Sequence, residues 1–431
     1  MGCADISPRK STNYQLAEKA DLDSAKESQN VAGGVTFGVT KQNEQERREW
    51  LKNHKPRVYE KVIQYADKVK RGECIAIIQF QYNYTCNFKC EHCSIDKFFM
   101  RPSDEQASGR RYFKIEDVKE LSRQADEMGL AHFVITGGEP LIFKDYDELV
   151  KAIDPEKFYL VSDSNGWLLD YERAKHLKEI GIDKVQLSLD GLDAEQHDTF
   201  RRRPGSHARV MRAIDACKDA GLHVILSTVM WRDRVRSQEF IDYLEFAKSK
   251  GVGTYVTYAK PVGNYEGRFD QLVTIPDTKY IIELEKKYDV FTHLTPSYGL
   301  DLGCIAVKRI LPVTRYGDIL PCPYTHVSMG NFFQEPLQDI VSRSLKNKWF
   351  SYEQKHECLC GVDRTFIKDV VTKTYNRPVP VFHTEIFTDA DYAGSAQSSG
   401  GSTCCKGSSA ETCNEEVSVD HSENYAVPAH A

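Results

Sequence analysis

Three cysteines fall within one short run, Tyr84-Thr-Cys86-Asn-Phe-Lys-Cys90-Glu-His-Cys93-Ser94. Closely spaced thiolates bind soft metals, zinc and iron-sulfur clusters above all. Zinc sites usually pair one C-x2-C unit with a second elsewhere, and fully ligated electron-transfer clusters take four cysteines. Three thiolates at C-x3-C-x2-C spacing can instead grip three irons of a cubane and leave the fourth without a protein ligand. The run therefore reads as a reactive iron-sulfur site, with a zinc site or a chance grouping as the alternatives.

Two further motifs bring polar groups to the ends of apolar runs. Thr136-Gly137-Gly138-Glu139-Pro140 joins paired glycines, which let backbone approach a ligand, to a carboxylate; its bland reading is an ordinary glycine turn. Ser188-Leu-Asp190-Gly191 precedes His197-Asp198-Thr-Phe-Arg201, and here the bland reading is a polar strand end beside a solvated basic run. A second cysteine group lies downstream: Gly303-Cys304, then Gly317, Cys322 and Cys358-Leu-Cys360. TRYGDILPCPY, Thr314 to Tyr324, reads as a hairpin around Tyr316-Gly317-Asp318 that presents Cys322.

The elements that must position these groups alternate regularly. Strand-like runs are expected at 75–82, 132–136, 158–162, 184–189, 223–229 and 253–258, with amphipathic helical segments between them, such as 114–128, 170–180, 206–220 and 237–250. Several helical runs end at a glycine, namely Gly129, Gly181, Gly221 and Gly251. Such a series predicts a parallel α/β sheet, doubly wound or curved toward a barrel, whose chemistry gathers at the C-terminal strand ends. The motifs stand at those ends. Residues 1–45 read as a disordered segment, 46–73 as a helical lead-in broken at Pro56, 263–384 as a linker with a small separate domain, and 385–431 as a disordered Ser/Gly/Cys tail.

Composition narrows the function classes. The chain has 431 residues, with 63 acidic against 57 basic side chains evenly mixed, so no nucleic-acid footprint is expected. No apolar core of a secretory signal and no run of about 18 apolar residues is present, so a cytoplasmic protein without a membrane span is expected. Ile6 stands where N-myristoylation wants Ser or Thr. In a reducing compartment the 13 cysteines are more readily metal ligands than disulfides. Cys74 and Cys217 read as core residues, while Cys404, Cys405 and Cys413 sit in the tail and Cys3 has no assigned role.

In this order and on these elements, the motifs resemble those of radical S-adenosylmethionine enzymes over about 74–262, which implies a partial (β/α)6 barrel. The resemblance implies that Cys86, Cys90 and Cys93 ligate a [4Fe-4S] cluster whose fourth iron chelates the amino and carboxylate groups of S-adenosylmethionine. One electron, from a donor such as flavodoxin or ferredoxin, then cleaves the cofactor to methionine and a 5'-deoxyadenosyl radical that abstracts hydrogen from substrate. It further implies His92 near the adenine; Gly137, Gly138 and Glu139 at the methionine amino group; and Ser162, Ser164 or Asn165 at the ribose. Ser188 would contact the cofactor, Arg201 would pair with the methionine carboxylate, and Val229 and Met230 would flank the adenine.

The second cysteine group resembles the opening of a SPASM or Twitch extension. Four cysteines, Cys304, Cys322, Cys358 and Cys360, match a Twitch-like α+β domain with one auxiliary [4Fe-4S] cluster better than a full SPASM domain with about seven cysteines. The final pair is C-x-C where C-x2-C is expected, so three or four ligands remain open, as do a zinc ribbon and unligated structural cysteines. Four ligands would make the cluster an electron acceptor and the reaction an oxidation of a small polar molecule; three would leave an iron for substrate. Asp190, Tyr258, Lys260, Arg315 and Tyr324 are candidate groups at the mouth. Competing readings are a peptide maturase, the guanosine-triphosphate cyclase of molybdenum cofactor biosynthesis, and a non-catalytic iron-sulfur carrier. The cyclase's C-x2-C-x13-C run and Gly-Gly end have no counterpart here, where the chain closes Ala429-His430-Ala431.

Overall fold

The strand IIQFQYN alternates apolar with polar side chains, and that alternation decides which way the barrel wall faces. In the computed structural model, which describes residues 41–392, Ile78 and Phe80 of this strand are fully buried in the layer between sheet and helices. Gln79 and Gln81 point the other way, into a cavity.

Eight parallel strands form one sheet in the order β7-β6-β5-β4-β3-β2-β1-β8. They are β1 (Ile77–Asn83), β2 (His132–Gly137), β3 (Tyr159–Ser164), β4 (Lys184–Ser188), β5 (His223–Met230), β6 (Gly253–Tyr258), β7 (Val290–Phe291) and β8 (Ile310–Thr314). The first six match the runs expected from the sequence, and the sheet is the expected partial barrel extended by a strand at each edge. β7 pairs with β6 and β8 with β1. Both come from the segment expected to be linker and separate domain, so 290–314 belongs to the sheet.

Helices cover the outer face. α1 (Lys41–His54), α2 (Pro56–Val62) and α3 (Tyr65–Lys70) lead in, the first break falling at Pro56 as the sequence demands. α4 (Pro102–Ser108) follows the cysteine loop. Next come α5 (Ile115–Glu127), α6 (Tyr146–Ile153), α7 (Tyr171–Glu179), α8 (Ala194–Arg201), α9 (Ser206–Asp219), α10 (Gln238–Lys250) and α11 (Ile275–Leu284). α5 buries Val118, Leu121 and Ala125, and α6 buries Leu149, Val150 and Ile153, at i, i+3, i+4 spacing against the sheet. Side-chain caps fix several helix starts: Asp170 accepts from the Arg173 amide, Asp193 from Gln196 and Ser237 from Phe240.

After β8 a tight turn pairs Val313 with Ile319, the hairpin expected around Gly317. A small parallel pair, β9 (Val327–Ser328) and β10 (Val381–Phe382), follows with the helix Leu337–Leu345. One hydrophobic cluster runs from the barrel wall through this C-terminal part, including Phe80, Leu187, Val313, Ile340 and Phe366.

The unstructured ends expected at 1–45 and 385–431 lie mostly outside the described residues, together with Cys3, Cys404, Cys405 and Cys413. Where described, they are ordered: 41–45 belong to α1, and Ile386 and Phe387 are buried. Among the described residues no helix is long and apolar enough to cross a membrane.

Candidate active site

Each strand leaves the sheet at the same rim, and the loop after β1 carries the first three cysteines across it. Cys86 is exposed, and Cys90 and Cys93 are half-buried. Backbone contacts hold the loop from two sides. Glu91 N donates to Phe200 O at 2.9 Å; Asn264 N donates to Cys93 O at 2.9 Å and its side-chain Nδ2 to Cys90 O at 3.1 Å. Gly263 lies so close beneath that a Cβ there would stand 2.2 Å from Cys93 O.

The paired glycines after β2 serve this loop directly. Gly138 N donates to Asn83 O at 2.9 Å and Glu139 N to Thr85 O at 3.0 Å. A Cβ on Gly137 would meet Asn83 O at 2.2 Å and one on Gly138 would meet Thr85 O at 1.9 Å. Only glycine allows the two strand ends to run this close.

Glu139 then turns its carboxylate inward, where it accepts from Ser164 Oγ (2.9 Å), Asn165 N (2.7 Å) and Leu141 N (3.2 Å). Burial nevertheless dominates and pushes this carboxyl up to about 7. Asn165 also donates from Nδ2 to Asn87 Oδ1 at 2.8 Å, tying the β3 exit to the cysteine loop.

On the other flank, Arg201 at the end of α8 donates from Nε to Asp190 Oδ2 at 2.6 Å and reaches toward Cys90 Sγ at 3.8 Å. Burial raises the Asp190 carboxyl, but the Arg201 guanidinium and the Val229 amide, which donates to Oδ1 at 2.9 Å, outweigh it and hold the group at about 2. The pair is therefore charged. His92 stacks on Phe200 with ring centroids 4.6 Å apart, its Nδ1 closed off without a hydrogen-bond partner, and burial lowers the ring to about 4.

The second cysteine group forms another wall of the same cavity, whose volume is about 370 Å³. Cys304, Cys358 and Cys360 are buried and Cys322 is half-buried. Cys304 is pinned by its amide to His356 O at 2.7 Å. Cys360 meets Thr325 Oγ1 at 2.9 Å and hydrogen-bonds the Cys322 thiol, an interaction that holds Cys322 below the usual thiol range. Cys358 interacts electrostatically with both Cys304 and Cys322. Four thiols from three separate segments thus converge, the C-x-C pair included.

Between the two walls the inward faces of the strands are polar: Gln79, Gln81, Thr136, Asp163, Gln186, Ser227 and Thr257. Asp163 escaped sequence reasoning. Its Oδ1 is closed off without a partner, the Thr136 hydroxyl stands beside the carboxyl, and burial raises it to about 7.

Most residues singled out from the sequence meet in this cavity: His92, Gly137, Gly138, Glu139, Asn165, Ser188, Arg201, Val229, Tyr258, Lys260, Tyr324 and all seven paired-group cysteines. Ser162 and Met230 do not. Both are fully buried away from the cavity, because adjacent strand residues face opposite sides; Asp163 and Val229 occupy the inward positions instead. Asp190 stands behind Arg201 and acts through it. Arg315 faces a separate recess, bound to Glu105 at 2.6 Å and to Tyr82 O at 3.2 Å. Cys74 and Cys217 are core residues, as expected.

Comparison with known proteins agrees with this geometry. The Radical SAM superfamily model matches residues 81–247. A GTP 3',8-cyclase of Campylobacter jejuni is 31% identical over 306 residues, covering 64% of this chain and 93% of the relative. The chain belongs to the Radical SAM superfamily. An AdoMet-dependent heme synthase of Nitratidesulfovibrio vulgaris is 24% identical over 315 residues, covering 66% of this chain and 83% of the relative. The SPASM iron-sulfur cluster-binding domain matches residues 304–361, the span from Cys304 through Cys360. Streptococcus suis SuiB, in a structure bound to its precursor peptide SuiA, shares the fold at 18% identity and a TM-score of 0.50, with 74% of each chain covered.

A radical SAM enzyme carries a [4Fe-4S] cluster with S-adenosylmethionine, and a SPASM domain carries further iron-sulfur chemistry. The donor sets fit: three thiols on one accessible loop, four thiols on a buried wall, and an all-sulfur donor chemistry in each. Among the described residues no three His, Cys, Asp or Glu side chains close around a single ion.

Proposed function

We propose that this radical SAM enzyme oxidises a polar small molecule by two electrons, with hydrogen abstraction at the Cys86, Cys90 and Cys93 site and electron removal at the Cys304, Cys322, Cys358 and Cys360 site. The observation that carries this reading is that both cysteine groups line one cavity, with a polar barrel floor between them. When bound, the first cluster and S-adenosylmethionine supply a 5'-deoxyadenosyl radical, and a four-cysteine second cluster supplies a one-electron acceptor. A flavodoxin or ferredoxin is the donor that reduces the first cluster.

The chain's own groups have separate tasks in this reading. Glu139 receives the cofactor's ammonium, a cationic partner that none of the described residues gives its buried carboxyl. Arg201, oriented by Asp190, faces the cofactor's carboxylate. Gly137 and Gly138 hold the cysteine loop against the β2 exit, and His92 with Phe200 offers a flat face near the adenine. Asp163 accepts the proton from a substrate hydroxyl or amine. Removal of a hydrogen atom from the carbon, a proton to Asp163 and an electron to the second cluster together convert that centre to a carbonyl or imine.

An anaerobic assay over aminocyclitols, sugars and nucleotide-derived alcohols tests the reading. It expects a product two electrons more oxidised than substrate, with 5'-deoxyadenosine in equal amount. A redox-neutral product overturns it. The similarity to GTP 3',8-cyclases supports a second reading, and GTP in the same assay separates the two, because cyclisation leaves the substrate's oxidation state unchanged.

A further inference from the structure

Where β6 leaves the sheet, the backbone runs straight to the second cysteine wall. A Cβ on Gly361 would lie 3.1 Å from Cys358 Sγ, 3.5 Å from Ala259 O and 3.6 Å from Tyr258 Cβ, so 258–259 and the 358–361 turn are in direct contact. The next residue, Lys260, is 6% exposed and lines the cavity. Its Nζ donates to Tyr258 O at 2.7 Å and stands over the Tyr324 ring, 4.4 Å from the centroid. Its partners among the described residues are thus a carbonyl and aromatic faces. A buried ammonium with neutral partners only is costly, and an anion beside it offsets that cost.

The anion the surroundings can provide is the thiolate group itself. Cys322, two residues before the Tyr324 ring under the ammonium, and Cys358, on the turn that meets 258–259, line the same cavity as Lys260. His293 on the same wall stays neutral, lowered to about 3 by burial and by Lys260, so it does not compete as a second cation.

We infer that Lys260 is the fixed counter-charge of the auxiliary cluster, a positioning residue that favours its reduced state and so suits it to accept an electron from substrate. This rests on the four-cysteine reading of the second site. A reduced cluster carries one more negative charge than an oxidised one, and a buried cation lining the same cavity would stabilise that extra charge. Cation–π contact with Tyr324 and the bond to Tyr258 O fix the ammonium on this wall of the cavity.

The test uses the full-length protein carrying Cys86→Ala, Cys90→Ala and Cys93→Ala, so that any cluster signal comes from the second site. Its midpoint potential is read by redox titration under electron paramagnetic resonance, with and without Lys260→Met and Lys260→Arg. Lys260→Met is expected to lower electron affinity at least tenfold, about 59 mV more negative for one electron, and Lys260→Arg to restore most of it. Cluster loss in Lys260→Met with retention in Lys260→Arg supports the same role. An unchanged potential in Lys260→Met, or equal failure of both variants, overturns it. Iron content separates the two levels: an iron-free Cys86/Cys90/Cys93 variant removes the four-cysteine reading, whereas iron with an unshifted potential removes only the role of Lys260.

Discussion

The two cysteine groups face one cavity but are built in opposite ways. Cys86, Cys90 and Cys93 come from one loop, reach solvent, and owe their placement to backbone contacts with Asn83, Thr85 and Asn264. Cys304, Cys322, Cys358 and Cys360 come from three segments and are packed into the hydrophobic cluster. A local, open site can release and rebind a cofactor at its unligated position; a closed site assembled by the whole fold is suited to pass electrons without exchanging ligands. This contrast makes separate demands on activity and stability, and substitutions can separate them.

Cys93→Ala should have the largest functional effect and almost none on folding. It removes a ligand of the open site, so 5'-deoxyadenosine formation should vanish and iron should fall by about four atoms per chain. Stability of the cluster-free protein should stay within about 0.5 kcal/mol of cluster-free wild type, because the side chain is half-buried and its hydrogen bonds are to the backbone of its own loop at Ile95 and Asp96. Cys360→Ala should do the reverse. Its thiol is buried against Thr325 and Cys322, so loss should cost about 1–2 kcal/mol. Reductive cleavage of S-adenosylmethionine should persist while oxidised product disappears. Equal behaviour of the two variants in denaturation and cleavage assays would remove the distinction.

Gly138→Ala sharpens the contrast from the backbone side. The added methyl would stand 1.9 Å from Thr85 O, so the β1 exit must move, at about 1–3 kcal/mol. The displacement falls on the open site, and iron analysis should show its cluster lost while the second site keeps its own.

The same difference governs what could be read from sequence. The open site was legible because its ligands and the TGGEP motif are contiguous, and six strands announced themselves as apolar runs. The edge strands did not: Val290–Phe291 is two residues long, and Ile310–Thr314 contains Pro312 and follows a lapse in the alternation. Of Ser162, Ser164 and Asn165 at the β3 exit, only the last two line the cavity, and an apolar run alone does not say which face is inward. A signal was present. Gln79 and Gln81, Gln186 and Ser188, and Tyr255 and Thr257 mark polar positions two apart within buried strands, and Asp163 falls on the same face. The convergence of Cys358 and Cys360 with Cys304 needed the tertiary structure, since nothing local fixes the 35 residues between Cys322 and Cys358.

Asp163 supplies the smallest and most specific effect. Burial raises its carboxyl from 3.8 to about 7; the Thr136 hydroxyl and Lys184 oppose that rise, while Glu139, Tyr298 and Tyr324 are its other titratable neighbours. The folded chain therefore holds a proton between about pH 4 and 7 that the unfolded chain releases, and stability falls as pH rises through that window. Asp190, held at about 2 by Arg201, has the opposite sign: its contribution is present above 3.8 and is lost as pH falls toward 2. Asp163→Asn abolishes only the first dependence. Urea denaturation of the cofactor-free protein should find the variant gaining on wild type between pH 5 and pH 8, with no further gain above. A difference that stays constant across that range would mean that Asp163 is ionised throughout, a carboxylate of ordinary basicity rather than one whose basicity burial has matched to neutral pH.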